Sequence, residues 1–344
     1  MSTVDETETP QVVTDAPTTP MSKVEQQLAA VSLQNTGSEM TPEQCKERLQ
    51  DQVKTKKLEA FYPEIPNELA EKAAKMVNEL RAKGCSREMA NQFAIMTLYD
   101  LAILIDDSDS MKYEENGERI KTVQKTLDNI ANVYGLARDQ GIITVRFLNA
   151  PQGKKNVTVK TVKSVLKNHN YGGVTRIGTE LKKKILDRFV TNDMAKPLLI
   201  MIITDGAPEG EATGLLETVI INCISNLSKA GAKGPQSVAF QFSRVGNDTG
   251  AQKLIQDLDD HPSVGQYIDC LPMNNRLEDI KDKEKKWILL SKLLLGAISP
   301  YWDSTEEIEN TKQDIEGTRD DASDVEDEPD STPPSDLEDE EDDE

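Results

Sequence analysis

Residues Asp106 to Lys112, Asp-Asp-Ser-Asp-Ser-Met-Lys, are the stretch best equipped for chemistry. The Asp106-x-Ser108-x-Ser110 spacing sets one carboxylate and two hydroxyls on a tight turn. These are hard oxygen donors, which suit a small hard cation such as Mg²⁺ and suit a softer metal poorly. Two later stretches extend the set. Gly172-Gly173-Val174-Thr175 offers a third hydroxyl from a loop whose glycines permit close approach, just ahead of a helix-like segment. The apolar run from Leu198 ends in Thr204-Asp205-Gly206, a carboxylate beside a turn glycine.

Taken in order, Asp106-x-Ser108-x-Ser110, Thr175 and Thr204-Asp205-Gly206 resemble the metal-ion-dependent adhesion site of von Willebrand factor A (vWA) domains, over roughly residues 98–299. The resemblance implies a divalent metal, Mg²⁺ (or Mn²⁺), with Asp106, Ser108, Ser110, Thr175 and Asp205 as its site. The two serines would bind directly, the threonine directly or through water, and the two aspartates largely through waters or hydrogen bonds. Three neutral hydroxyls would leave the ion electropositive, and an open coordination position would invite a carboxylate. The expected partner is therefore a protein ligand presenting Asp or Glu, bound only while the metal is present. One departure stands out: Asp109 fills a position usually held by Gly. Aspartate tolerates left-handed backbone better than most residues. Its charge, beside Asp107, would strengthen cation binding and discourage an acidic partner. Val245-Gly246-Asn247-Asp248, Leu258-Asp259-Asp260 and the double aspartate at 106–107 also resemble intracellular fungal vWA proteins and copine A domains. The copine likeness stops at this domain.

Two rival readings use the same residues. In the first, Asp107-x-Asp109 after an apolar strand looks like the opening motif of a haloacid-dehalogenase-type phosphatase. Asp107 would then be the nucleophile, Asp109 the general acid and Mg²⁺ the electrostatic partner, with Thr204 and Asp259-Asp260 as later motifs. Met111 stands where Thr or Val is usual, and Ser108, Ser110 and Thr175 would have no role. The second rival is a vWA scaffold that binds partners without metal. Against catalysis, no nucleophile or base is evidently activated by a neighbour. Both histidines, His169 and His261, are expected at the surface.

The elements that must position these residues read as an alternation of strands and helices. That pattern argues for an α/β, doubly wound, mostly parallel sheet, with one antiparallel edge strand where the chain reverses after residues 149–153. Strands are expected at Leu101–Ile105, Ile142–Leu148, Val157–Val159, Leu198–Thr204, Val238–Val245 and near Tyr267–Leu271. Ligands of such sheets bind beyond the carboxyl ends of the strands, where Asp106 and Asp205 both fall. Between the strands, Ile120, Val123, Leu127, Ile130 and Val133 form the stripe of one helix, and others are expected to about Val190, at about 214–230 and at about 250–258. A last helix, about 277–298, is apolar on most faces, and Trp287 reads as core or core edge. Ahead of the sheet, residues 41–97 read as a helical extension. Thr41-Pro42-Glu43-Gln44 starts a helix running to about Ala60, whose basic face reads as solvated. Asn67 caps a second helix closed by Gly84, and Ser86 caps a short third one.

Charge and composition bound the rest. Of the net charge of −21, the stretch from Asp303 to Glu344 holds −19, with 21 acidic residues against Lys312 and Arg319. Residues 1–40 and 300–344 lack the apolar content to fold and are expected to be disordered. Ser323-Asp-Val-Glu and Ser335-Asp-Leu-Glu in the tail resemble sites of acidic-directed kinases. A tail of 42 residues reaches about 35 Å, so its carboxylates could visit the domain's own metal and compete with partners. No long basic run or Arg–aromatic interleaving points to nucleic acid. Four scattered cysteines, no signal-like start and no apolar run of about 18 residues imply a chain without a membrane span, in the cytoplasm or nucleus.

Overall fold

A six-stranded sheet organises the chain, in the order β3-β2-β1-β4-β5-β6. The strands are β1 (Asp100–Ile105), β2 (Ile142–Phe147), β3 (Lys154–Val157), β4 (Leu198–Thr204), β5 (Val238–Arg244) and β6 (Ile268–Pro272). All neighbouring pairs run parallel except β2 with β3. The computed structural model describes residues 39–229, 231–246, 248–272 and 280–303. The N-terminal segment and the acidic tail expected to be disordered lie outside the described residues, apart from positions 39–40 and 300–303.

β1 and β4 sit at the centre of the order, and helices cover both faces of the sheet, so their continuous apolar runs are buried. The period of two divides their side chains between two cores. Leu101, Ile103, Ile105, Leu199, Met201 and Ile203 face one side. Ala102, Leu104, Ile200 and Ile202, with Phe240 and Phe242, face the other. The first core is closed by α1 (Pro42–Thr55), α2 (Asn67–Ala82), α3 (Arg87–Phe93), α5 (Glu118–Ala137) and α9 (Lys283–Leu295). The short α4 (Asp109–Tyr113) leads from the Asp-Ser turn towards α5. The second core is closed by α6 (Ile177–Leu181), which continues through a π turn at Lys182–Leu186, and by α7 (Leu215–Leu227) and α8 (Thr249–Asp259). The N-terminal extension thus shares its core with the sheet; Tyr62 donates its hydroxyl to the Leu98 carbonyl at 2.6 Å. The final turn, Pro300–Asp303, still belongs to the folded body, with Trp302 only 4 % exposed.

Several boundaries differ from the expectations. α1 has the reciprocal Thr41–Gln44 cap but ends at Thr55, and Lys57 turns left-handed at φ 54°. Pro66, not Asn67, occupies the cap position of α2; Asn67 is its first residue and accepts a bond from Lys46 Nζ. Ser86 does cap α3, and Gly84 is left-handed just past α2, at φ 89°. The edge strand lies at Lys154–Val157 rather than 157–159. Gly153 lies directly against the Val145 carbonyl, where no Cβ would fit, so pairing begins at once and is finished by Ile142↔Val157. Val159 is left 45 % exposed. α9 begins at Lys283, where the Asp282 carboxylate caps Glu284 and Lys285, and residues 273–279 lie outside the described set. Trp287 is half-buried, edge-on to Phe93.

Candidate metal centre

The parallel register pairs Ile105 with Ile203, so the chain leaves β1 and β4 side by side at their carboxyl ends. The Asp106 amide donates to the Ile203 carbonyl at 2.8 Å, and the Thr204 hydroxyl donates to Asp106 Oδ2 at 2.7 Å. The turn then folds back on its own aspartate, with Ser108 N donating to Asp106 Oδ1 at 2.9 Å. Ser108 Oγ and Ser110 Oγ are 3.0 Å apart, and Ser110 Oγ donates to Asp205 Oδ1, also at 3.0 Å. Four of the five expected residues, Asp106, Ser108, Ser110 and Asp205, are therefore joined in one run of hydrogen bonds.

Thr175 arrives on a loop tied to both neighbours. Gly172 N donates to the Asp107 carbonyl at 2.7 Å, and Asp109 N donates to the Gly173 carbonyl at 3.3 Å. From the other side, Glu209 N donates to the Thr175 carbonyl at 2.9 Å. Glu211 accepts from Gly178 N and Thr179 N, capping α6 in its first turn. The glycine at 173 is required: its φ is 103°, and a Cβ would strike the Asn149 side chain. Thr175 itself is 5 % exposed, and its hydroxyl takes part in none of these bonds. Main-chain bonds thus tie the Gly172–Thr175 loop to the Asp-Ser turn and to the segment after β4.

Asp109 does not use left-handed backbone. It is the first residue of α4, is exposed, and accepts a long bond from Gly173 N at 3.4 Å. Asp107 is different again. Its buried carboxylate accepts from Asn149 N at 2.6 Å, Asn149 Nδ2 at 3.1 Å and Ala150 N at 3.0 Å. Its Oδ2 also meets His169 Nε2 at 2.9 Å. Burial opposes this charge, but the four bonds outweigh it and hold the carboxyl below its ordinary range. His169 therefore corrects the expectation of a surface histidine: its side chain is 11 % exposed and its ring stacks on Phe147 at 3.8 Å. His261 is half-buried and meets Glu217 at 3.1 Å. Below this cluster, buried Lys184 donates to the carbonyls of Phe147, Leu148 and Ala150 and pairs with Glu180, fixing the end of β2.

Arg119 went unread in the sequence. From the first turn of α5 it donates to Asp205 Oδ2 at 2.7 Å and pairs with Glu114 at 2.7 Å and Glu115 at 3.1 Å. The Glu115–Arg119 spacing of four suggests a helical ion pair, but nothing local ties Arg119 to Asp205. Burial pushes the Asp106 carboxyl up to about 6, with the nearby Asp205 charge adding and the Ser108 and Thr204 bonds opposing. Burial also raises Asp205, against the bonds from Arg119 and Ser110.

The donor set fits a small hard cation. Around Mg²⁺, oxygens at about 2.1 Å in an octahedron have neighbours about 3 Å apart, which matches the 3.0 Å between the Ser108 and Ser110 hydroxyls. Among the described residues no three His, Cys, Asp or Glu side chains gather as a metal group, so the hydroxyls would have to complete the shell. No family model and no curated relative matches the sequence. Solved structures that it resembles include a von Willebrand factor type A protein from Catenulispora acidiphila, at 16 % identity and a TM-score of 0.38, over 57 % of this chain and 42 % of that one. The SpRpn10 VWA domain follows at 19 % identity and 0.35, over 53 % and 93 %. Manganese-loaded TRAP protein from Plasmodium vivax gives 19 % and 0.33, over 52 % and 70 %. The chain spans less than half the length of the first of these, and the fold stands on its own strand order and register.

Proposed function

We propose that this chain is a vWA-type docking module that takes an acidic group of a protein partner on a divalent cation, Mg²⁺ or Mn²⁺. The observation that carries this reading is the continuous run Asp106–Ser108–Ser110–Asp205 at the carboxyl ends of the two central strands. Ser108, Ser110 and Thr175 would hold the cation, with Asp106 and Asp205 orienting the shell. A bound cation would supply an electropositive point with room for one outside carboxylate. Asp106 and Asp205 are buried and raised, so a cation would relieve a charge that burial disfavours. The module is proposed to act in the cytoplasm and without catalysis. Asp107, the only nucleophile of the phosphatase reading, is fully buried and committed to Asn149, Ala150 and His169.

Calorimetric titration with Mg²⁺ and Mn²⁺ tests the site: wild type should bind near one equivalent and Asp106→Ala none. Capture of partners should be lost in chelator. One observation favours a metal-independent scaffold instead, namely the Arg119 guanidinium already on Asp205. Capture that survives chelator, with no heat of cation binding, would select that reading.

A further inference from the structure

We infer that Arg119 is a built-in rival of the divalent cation, supplying to Asp205 in the cation-free protein the positive charge that a bound ion would supply. This rests on the docking-site reading above. Three observations carry it. First, the guanidinium is 5 % exposed and its NH1 meets Asp205 Oδ2 at 2.7 Å, on the same carboxylate whose other oxygen accepts from Ser110. It therefore stands at the Asp205 end of the hydrogen-bonded run instead of on the protein surface.

Second, the guanidinium has a second anchorage. Nε and NH2 face Glu115 at 3.2 and 3.1 Å, and NH2 faces Glu114 at 2.7 Å. The turn that brings these carboxylates over is bent. Glu115 and Asn116 are both left-handed, at φ 50° and 53°, a conformation that asparagine tolerates well and glutamate adopts uncommonly. Arg119 bridges this turn and Asp205, and yielding Asp205 would leave it still paired.

Third, the seat is shaped for this side chain. Gly246, at φ 76°, lies against the guanidinium so closely that a Cβ would collide with Nε and Cζ. The physical consequence is reciprocal. Two cations sharing one carboxylate repel, so each lowers the affinity of the site for the other by the same factor.

Opposite signs in two measurements test this. Arg119→Gln and Arg119→Lys are compared with the full-length wild type by thermal unfolding in chelator and by Mn²⁺ titration read by calorimetry. Arg119→Gln should melt lower without cation and bind Mn²⁺ at least about tenfold more tightly. Arg119→Lys should lie between. A residue needed merely for structure would lower both stability and affinity. If wild type binds Mn²⁺ while Arg119→Gln binds equally or less well, the inference is overturned and the docking site stands. If Arg119→Gln does not fold, Arg119→Lys decides by the same criterion. If no variant binds Mn²⁺, both are overturned.

Discussion

Adjacent aspartates at the end of β1 are driven in opposite directions by what they touch. Four bonds hold Asp107 below its ordinary range against burial, whereas burial, with the Asp205 charge adding, pushes Asp106 up to about 6 against the bonds from Ser108 and Thr204. Asp107→Ala should leave two backbone amides and His169 without their buried acceptor. A loss of about 2–4 kcal/mol is expected in urea unfolding. Asp106→Asn should leave cation-free stability unchanged or higher while abolishing cation binding. The pH dependence follows from the sign of the shift. A carboxyl raised in the folded state stabilises most fully below its unfolded value, about 3.9, and this contribution is lost as pH rises through about 6. The melting temperature of wild type relative to Asp106→Asn should therefore fall between pH 4 and 7 in chelator, and this fall should shrink or reverse in excess Mg²⁺. The oxygen donors were legible because short local patterns carry them. Arg119 and His169 were not, because their meaning lies in partners 86 and 62 residues away.

At the scale of elements, the central strands could be read because burial on both faces leaves unbroken apolar runs. The edge strand could not: its lysines face solvent and only Val157 is buried. The lysine run 182–184 likewise gave no sign that one member turns inward. The π turn carries Lys184 to three carbonyls at the end of β2, the segment whose next amides hold Asp107. Lys184→Met should cost about 3–5 kcal/mol, because Glu180 would be left buried without its cation. Adding Glu180→Met should recover part of that loss in the same denaturation experiment, since the unpaired charge goes too. A double variant no more stable than Lys184→Met would place the cost in the freed carbonyls instead.

For the whole molecule, charge is divided unevenly along the chain, and residues up to 302 carry only −2. A near-neutral body joined to an acidic tail should repel acidic ligands more than its fold requires, through a field that salt screens. Truncation after residue 303 should tighten binding of an acidic peptide at low ionic strength, by a factor that shrinks as salt is raised. Equal affinity with and without the tail at low salt would remove any competitive role for it.

The pairing of Asp100 with Leu198 joins positions 98 residues apart along the backbone. Closing so long a span costs entropy before any contact rewards it, and folds dominated by such distant pairings assemble slowly. The oxygens of Asp106 and Asp205 can meet only after that closure. For the proposed cation site, a nascent or refolding chain would lack the joined Asp106 and Asp205 oxygens until β1 and β4 had paired, so uptake of an ion there would report that closure.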